Sequence, residues 1–362
     1  MKNSSEANAY YKRQADYAKL AFTKDNLMPR RYVLVLTNLC NLKCTFCVQE
    51  RKKKFSFMSA DDWVNVIDQI PKNSRITLTG GEPTLFEYKQ NGFETIFKKA
   101  NLFNETNMIT NGLLLNDQKI DLLVKEKNFK VLAVSIDTIG NVNRDFKKHQ
   151  WDFLVNQLNK FIKLRDKEED KTALDIKTVI LEENIKDLFS IHKLVMKELK
   201  ADTHSLQMLK GAEIQHSDLM FDFEAIDKEY EAYQYKDFDL LVEQLNLIKE
   251  YDYKHGYKSY LHPSLLDFGD NKSFKKEDLL YLNNKNHEPK HFSTCYAPWG
   301  CVYINVDGNL FPCMAVPLGN VKTSKLSEII FSKESKKFRD LIRAKGTLNG
   351  CNRCGYLKPK ER

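Results

Sequence analysis

The run Tyr32-Val-Leu-Val-Leu-Thr37, continued by Leu39-Cys-Asn-Leu-Lys-Cys-Thr-Phe-Cys-Val48, decides the fold of this chain. Its first part is a short apolar segment, which predicts a β-strand. Its second part places Cys40, Cys44 and Cys47 directly after that strand, in the spacing C-x₃-C-x₂-C. Enzymes built from alternating strands and helices keep their reactive centres at the carboxyl ends of the strands. We therefore expect the three cysteines to lie at such a centre.

The number of these cysteines indicates their chemistry. A four-iron cluster with a purely structural role usually takes four cysteine ligands. Three thiolates leave one iron open, and an open iron can bind a substrate or a cofactor. Taken alone, the triple also fits part of a zinc site or a chance cluster.

A second motif follows the next predicted strand. Residues 75–79 read as a strand and run into Gly80-Gly81-Glu82-Pro83. Together with the cysteine triple, this segment resembles the signature of the radical S-adenosylmethionine (SAM) superfamily. The resemblance implies a [4Fe–4S] cluster whose open iron binds the amino and carboxylate groups of SAM. The reduced cluster would cleave SAM to methionine and a 5′-deoxyadenosyl radical, which removes a hydrogen atom from an unactivated C–H bond.

The same resemblance implies a role for each residue of the two motifs. The cysteine triple would ligate the cluster, and the Gly80–Pro83 segment would hold the methionine end of SAM. Glycine suits that position because a backbone without Cβ can approach a ligand closely. The residues implied as cluster ligands are Cys40, Cys44 and Cys47, and those implied for SAM in this segment are Gly80, Gly81, Glu82 and Pro83.

Further SAM contacts are implied at the ends of later strands and inside the cysteine loop. Ser135 and Asp137 could bond the ribose diol through a hydroxyl and a carboxylate, although Asp137 could instead cap the following turn. Met208 could pack on the adenine or belong to the core. Candidates implied by the resemblance are Phe46, which would shelter the cluster and adenine, and Thr110, Asn111, Ser135, Asp137 and Met208.

Strand-like and helix-like segments alternate from residue 31 to about 209, which predicts a parallel sheet with right-handed crossovers. The six units match the partial (β/α)₆, TIM-like barrel of the radical SAM family, so the expected class is α/β. The predicted domains are a helical extension (1–30), the barrel (31–235), a linker and barrel edge (236–290) and an auxiliary domain (291–362). The predicted strands are 32–37, 75–79, 106–110, 131–136, 173–181 and 205–209, with a weak strand at 257–262.

Five more cysteines lie near the carboxyl terminus. Asp307-Gly308 reads as a hairpin turn, a Pro-Cys pair and Gly319-Asn320 follow, and a C-x₂-C pair closes the region. This pattern resembles the SPASM and Twitch domains of radical SAM enzymes. Because the chain ends eight residues after the last cysteine, we expect one auxiliary [4Fe–4S] cluster, with zinc as the alternative. The implied ligands are Cys295, Cys313, Cys351 and Cys354.

Cys301 is left over from this set. It could be a small buried side chain, or it could replace Cys295 as a ligand. A third interpretation makes it a catalytic hydrogen donor to a substrate radical, because the S–H bond is weak.

Composition limits the remaining possibilities. The formal charge of +8 permits an anionic substrate but does not indicate nucleic acid. The sequence has no stretch of 18 or more apolar residues, so it predicts no membrane span. Its first residues lack the apolar region of a signal peptide. Eight cysteines in such a chain favour metal ligation in a reducing compartment, hence the cytoplasm. The basic run 51–54 reads as a solvated loop or as a contact for an anionic substrate group.

The resemblance leaves the substrate open. It implies a reductant such as flavodoxin or ferredoxin. It also implies one of two substrate classes: small carbohydrates and aminocyclitols, which would be oxidised or epimerised, or peptides and proteins, which would be modified. The 30 residues before the first strand are too few for an added leader-binding domain, so a small polar substrate is the main expectation. A maturase acting on a peptide or protein is the alternative. A non-catalytic scaffold with two zinc sites is the hypothesis from another class.

Overall fold

The computed structural model describes residues 2–49, 57–86, 92–215, 218–263 and 272–360. The basic run 51–54 lies outside these residues. The strands are β1 (Arg31–Thr37), β2 (Arg75–Gly80), β3 (Glu105–Thr110), β4 (Phe129–Ser135), β5 (Ala173–Ile180), β6 (Thr203–Met208), β7 (Ser259–His262), β8 (Cys301–Ile304), β9 (Asn309–Phe311) and β10 (Gly319–Asn320).

Helices cover the outer face of the barrel and build the two ends of the chain. Helix α6 continues into a π turn over Leu194–Glu198. The helices are α1 (Lys2–Lys24), α2 (Ala60–Asp68), α3 (Gly92–Asn101), α4 (Asp117–Lys125), α5 (Lys148–Arg165), α6 (Leu188–Lys193), α7 (Phe238–His255), α8 (Lys276–Leu279), α9 (Ala297–Gly300), α10 (Leu326–Ile330) and α11 (Lys333–Lys345).

Local sequence explains these elements. Ser59 caps α2, because its hydroxyl accepts from Asp62 N (3.1 Å) while Ser59 N donates to the Asp62 carboxylate (2.8 Å). Every residue of β1 except Arg31 is buried, as expected for a parallel strand covered on both faces. Helix α2 buries Trp63 and Val66 against the core. Apolar runs therefore form the central strands and amphipathic stretches form the cover.

The sheet confirms the predicted (β/α)₆ barrel and extends it. Strands β1 to β7 follow one another in chain order and each pair is parallel. The weak predicted strand at 257–262 is β7, which pairs with β6. At the other side, β8 runs parallel to β1, and β9 and β10 follow antiparallel. The turn between β8 and β9 is the predicted one, with Gly308 at φ +88°.

The cysteine-rich tail thus shares one sheet with the barrel. Arg31 pairs with Cys301 and Leu34 with Ile304 in the register of β1 and β8. Sequence patterns could not show this pairing, because β8 has only four residues and its partner lies at the far end of the chain. The predicted domain boundaries remain a proposal, and the hydrogen-bonded sheet runs across the one at residue 291.

The segment after Cys354 spans the space between β7 and β8. Gly355 lies so close to His262 of β7 that an added Cβ would sit 3.4 Å from its Nδ1. The Tyr356 hydroxyl donates to the Cys301 sulfur of β8 at 3.3 Å and lies 3.3 Å from the Tyr303 hydroxyl. The end of the cysteine-rich tail therefore closes the side of the open barrel.

Asp25 attaches the N-terminal helix to the tail. Its carboxylate accepts from Trp299 Nε1 at 2.8 Å and lies 3.1 Å from Arg343 Nη2. Burial alone would raise the pKa of Asp25, but the bonds from Arg343 and Trp299 hold it below its ordinary value. A carboxyl with a lowered pKa stabilises the fold above its ordinary pKa and loses that contribution as the pH falls through the folded value.

We expect Asp25→Asn to lower the free energy of unfolding by about 1–2 kcal/mol at neutral pH, because a charge-assisted bond at a partly exposed site is lost. Urea titrations should show the difference shrinking as the pH falls below about 4. Asp340→Asn removes a more exposed partner of the same Arg343 and serves as the control. Equal effects of the two substitutions, or a difference independent of pH, would contradict this role.

Candidate functional site

The Gly80–Glu82 segment lies directly against the start of the cysteine loop. Gly81 N donates to Thr37 O and Glu82 N to Leu39 O, both at 2.7 Å. A Cβ at Gly80 would lie 2.3 Å from Thr37 O, and one at Gly81 would lie 2.1 Å from Leu39 O. Gly80 also has a φ of +144°, which L side chains rarely adopt. Because both glycines lack a Cβ, the backbone of the loop that carries the cysteines can lie this close to them.

Gly81→Ala is expected to displace that loop while the rest of the barrel folds. The added carbon would overlap the Leu39 carbonyl, so the backbone before Cys40 must move. Iron content after anaerobic purification should fall by about four atoms per chain, the content of one cluster. Gly256→Ala, whose added carbon would meet nothing within 4 Å, is the control. Full iron in Gly81→Ala would show that the close approach is dispensable.

Hydrogen-bond donors surround two of the three sulfurs. Leu42 N and Asn111 Nδ2 lie 3.4 and 3.8 Å from Cys40 Sγ. Arg144 Nη1 donates to Cys44 Sγ at 3.6 Å. Burial raises the pKa of the Cys44 thiol, and the Arg144 guanidinium opposes that effect. Cys47 is exposed. Donors and a cation beside the sulfurs suit thiolates, the form in which cysteine binds metal.

Glu82 is fully buried, and its partners belong to the protein. Its carboxylate accepts from Thr84 Oγ1 (2.7 Å), Thr110 Oγ1 (2.8 Å) and Asn111 N (2.8 Å). Burial raises the pKa of Glu82, and these bonds act against that rise. The bond from the Glu82 carboxylate to the SAM ammonium stays a prediction. Glu82 ties the end of β2 to the end of β3.

The Asp137 carboxylate also accepts hydrogen bonds from the protein. Arg144 Nε donates to its Oδ2 at 2.5 Å and Val179 N to its Oδ1 at 2.7 Å. Both oxygens are therefore bonded within the protein, and the contact with the ribose stays a prediction. The alternative role of Asp137, capping the following turn, is filled by Asn141. The Asn141 side chain caps this turn, because it accepts from Asp137 N at 3.0 Å.

The other predicted contacts divide between the site and the core. Asn111 is buried beside the loop and donates to Asn41 Oδ1 at 2.8 Å. Ser135 is partly exposed at the end of β4, and the Phe46 ring lies 5.2 Å from Arg144 Cζ. Met208 is buried in a hydrophobic cluster with Ile180 and Leu261, which favours the core role, and its adenine contact stays a prediction.

The tail places two of its four predicted ligands in one turn. Cys354 N donates to Cys351 O at 2.9 Å, so the C-x₂-C pair forms one tight turn. Burial raises the pKa of the Cys313 thiol well above its ordinary value, and the neighbouring thiols raise it further, namely those of Cys351, Cys354, Cys295 and Cys301. Burial also raises the pKa of Cys295 to about 12, with Cys354 adding to the rise.

Cys301 lies in β8, in a buried cluster with Val33 and Phe311. The hydroxyl of Tyr356 donates to its sulfur, and burial raises the pKa of its thiol. These surroundings favour the interpretation as a small buried side chain. Its roles as a ligand or as a hydrogen donor stay predictions.

Two residues of the site were missed by sequence reasoning. Arg144 joins Asp137 to the Cys44 sulfur, and its only signal was a basic residue in the loop after the fourth strand. Burial lowers the pKa of Lys210 to about 8, and the thiols of Cys354 and Cys47 act in the opposite direction. Its signal was its position just beyond the sixth strand. Neither position has a motif of its own.

Family models match both parts of this arrangement. The model of the radical SAM superfamily matches residues 34–195, and that of an iron–sulfur cluster-binding domain, SPASM, matches residues 295–355. The chain contains a radical SAM domain. It carries a SPASM iron–sulfur domain at its carboxyl end. The cofactors of this radical SAM protein are SAM, the [4Fe–4S] cluster that binds it and an auxiliary [4Fe–4S] cluster.

Individual relatives of this radical SAM protein are distant. The sporulation killing factor maturation protein SkfB of Bacillus subtilis (strain 168) is 25% identical over 313 residues, which are 84% of this chain and 65% of SkfB. The GTP 3′,8-cyclase of Clostridium perfringens (strain SM101 / Type A) is 28% identical over 187 residues, 49% of this chain and 50% of the cyclase. The chain thus spans less than two thirds of the length of these curated relatives.

Solved structures share the fold. SuiB of Streptococcus suis, bound to the precursor peptide SuiA, superposes with a TM-score of 0.60 at 17% identity, covering 90% of this chain and 71% of SuiB. Among the described residues, no helix is long and apolar enough to cross a membrane. The same residues contain no group of three His, Cys, Asp or Glu that could hold a metal ion.

The residues present fit iron–sulfur clusters by their chemistry. Each site offers cysteine thiols, and donors such as Arg144 Nη1 and Leu348 N point at sulfurs, the latter 3.3 Å from Cys351 Sγ. Hydrogen bonds to sulfur are one of the means by which proteins tune such clusters. The two family matches favour an enzyme over the non-catalytic zinc scaffold and iron over zinc in the tail.

Proposed function

We propose that each cysteine set holds one of the two clusters. Cys40, Cys44 and Cys47 would hold the cluster that binds SAM, and Cys295, Cys313, Cys351 and Cys354 would hold the auxiliary cluster. The support is local: the first set follows β1 beside the Gly80–Glu82 segment, and in the second set Cys351 and Cys354 share one tight turn. Cys301 would remain outside both.

We infer further that the enzyme is a maturase that modifies a peptide or protein. The observation that carries this is the match to SkfB, which extends over 84% of the chain and therefore over both domains. The GTP 3′,8-cyclase, which is named for a nucleotide substrate, matches only 49% of this chain. SuiB, which shares the fold, binds a precursor peptide. These relations favour a peptide over the small sugar or aminocyclitol expected from the sequence.

The chain's own residues would prepare the site for this chemistry. When bound, SAM and its cluster supply a 5′-deoxyadenosyl radical that removes hydrogen from a C–H bond. Arg144 would compensate the charge of the thiolate at Cys44, and Glu82 would hold the ends of β2 and β3 in place. Tyr356, which spans the side of the barrel, would keep solvent away from the reacting carbon.

The experiment is a transfer of deuterium. The anaerobic holoenzyme is incubated with SAM, dithionite and deuterated peptides encoded by short reading frames beside its gene. We expect deuterium in 5′-deoxyadenosine and a changed mass in one peptide, with neither in the Cys47→Ala variant. Deuterium transfer from sugars or aminocyclitols, with none from peptides, would overturn the peptide assignment and leave the radical SAM chemistry in place.

A further inference from the structure

A chain of four buried polar side chains joins helices α6 and α7 to the sheet. His192 of α6 and His204 of β6 lie with their Nδ1 atoms 3.0 Å apart. His204 Nε2 lies 2.8 Å from the hydroxyl of Thr178 in β5, and His192 Nε2 lies 2.9 Å from Oδ1 of Asp252 in α7. Each of these side chains is at most 1% exposed. Their hydrogens must therefore be shared among themselves and not with bulk water.

The hydrogen bond of Thr178 sets the tautomer of His204. The Thr178 hydroxyl donates its one hydrogen to Ile136 O at 2.5 Å. Towards His204 Nε2 the hydroxyl oxygen can then only accept, so this ring nitrogen carries a hydrogen. One more hydrogen lies between the two Nδ1 atoms, because two bare ring nitrogens 3.0 Å apart would both be acceptors.

The contact between His192 and Asp252 requires a third hydrogen. An ionised carboxylate can only accept, so a bare His192 Nε2 at 2.9 Å would bring two lone pairs together. Neither oxygen of Asp252 has a hydrogen-bond donor elsewhere among the described residues. A buried carboxylate without a compensating charge or proton costs free energy. The two imidazoles and the carboxylate thus hold three hydrogens, whereas two neutral imidazoles carry two.

The surroundings place the resulting charge on His192. Burial lowers the pKa of His204 well below its ordinary value, and His192 lowers it further. The Tyr251 ring meets His192 edge-on, with centroids 5.8 Å apart. The titratable side chains that flank the pair on these elements are Lys193 of α6, Lys249, Tyr251 and His255 of α7, and Tyr257 and Lys258 ahead of β7. Two of these lysines lie over phenyl rings, at 4.6 and 4.2 Å.

We propose that His192 is a buried imidazolium held between Asp252 and His204, and that its proton makes the packing of α6 and α7 on the sheet sensitive to pH above neutrality. The far end of the chain bonds to Ile136, the residue before Asp137 of the candidate site. A change in this packing therefore starts one residue away from that site.

The sign follows from counting protons. When the segment opens locally, the imidazoles meet water and are neutral above about pH 7.5. The opened form then binds one proton fewer than the closed form, so rising pH favours opening by about tenfold per pH unit. Below about pH 5.5 the opened form charges both imidazoles and the sign reverses.

The test is hydrogen exchange of the anaerobic holoenzyme, measured by mass spectrometry in peptides from residues 188–208, which run from α6 to β6. Asp252→Asn is the informative variant, because its amide can donate to His192 Nε2 and leave both imidazoles neutral. At each pH the opening constant of the wild type is divided by that of the variant, which cancels the intrinsic pH dependence of exchange. We expect this ratio to rise about tenfold per pH unit, or about 1.4 kcal/mol, between about pH 7.5 and 9.

A matched variant and a second measurement complete the test. Asp239→Asn removes an exposed carboxylate of the same helix, which pairs with Lys276, and should keep the wild-type pH dependence. A constant ratio between wild type and Asp252→Asn over this pH range would overturn the proposal. Nitrogen-15 spectra of the wild-type protein with labelled histidine need no variant to fold. We expect both ring nitrogens of His192 and only Nε2 of His204 to be protonated, and one protonated nitrogen on each ring would overturn the proposal.

Discussion

Replacing Cys44 by alanine is expected to abolish the formation of 5′-deoxyadenosine and to lower iron by about four atoms per chain, the content of one cluster. The sulfur of Cys44 is the one that accepts from Arg144, so its loss removes a ligand and leaves the guanidinium without that acceptor. Cys40→Ala and Cys47→Ala should have the same effect, because a cluster with two thiolates cannot hold its irons. The measurements are iron analysis and chromatography of the SAM products under anaerobic conditions.

Cys301→Ala is the matched control for these three variants. Its sulfur lies in the buried cluster with Val33 and Phe311, so all the iron and SAM cleavage should remain, with a small loss of stability. Missing iron in Cys301→Ala would make it a ligand. Full iron and 5′-deoxyadenosine without product would make it a hydrogen donor. Wild-type SAM cleavage in any of the three alanine variants of the first set would refute the assignment of that set.

Glu82→Ala is expected to lower the free energy of unfolding by about 3–5 kcal/mol, because it leaves several buried donors without an acceptor and opens a cavity. The donors are the hydroxyls of Thr84 and Thr110 and the amide of Asn111. SAM binding should weaken about tenfold or more, as the ends of β2 and β3 lose their alignment. Urea titration and calorimetry of SAM binding measure the two effects.

A conservative substitution of a neighbour distinguishes the two possible roles of Glu82, aligning the strands and binding SAM. Thr84→Val keeps the shape and removes only one donor to the carboxylate, so its cost should be about 1 kcal/mol. If Glu82→Ala weakens SAM binding while the unfolding free energy stays at the wild-type value, the carboxylate contacts SAM directly, as the sequence suggested. A loss of stability together with a loss of binding supports the role of Glu82 in aligning the two strands.

The sequence by itself determined the class of chemistry and the order of the barrel. The spacing of Cys40, Cys44 and Cys47 and the Gly80–Pro83 segment are local patterns, and they led to the superfamily that the comparisons show. The strands of the barrel were also predictable, because a buried parallel strand is a short apolar run whatever its neighbours are. Predicted and observed bounds differ by at most two residues in β1 to β7.

The tertiary structure alone decided the partners of the polar side chains. Glu82 and Asp137 stand where the sequence placed them, at the ends of strands, but their oxygens are taken by Thr110, Val179 and Arg144. Hydrogen bonds of this kind join segments far apart in the chain, and no periodic pattern records them. A carboxylate at a strand end therefore reads the same in the sequence whether it faces a ligand or a neighbouring strand.

The pairing of β8 with β1 and the packing of the turn after β6 have the same cause. Both depend on how the tail returns to the barrel, which brings Cys301 beside Arg31 and Asn352 against Gly211. A strand of four residues and a short turn carry little information of their own. Their roles arise only from long-range packing. The apolar runs and the cysteine spacings, by contrast, are patterns of a few consecutive residues and can be recognised in the sequence.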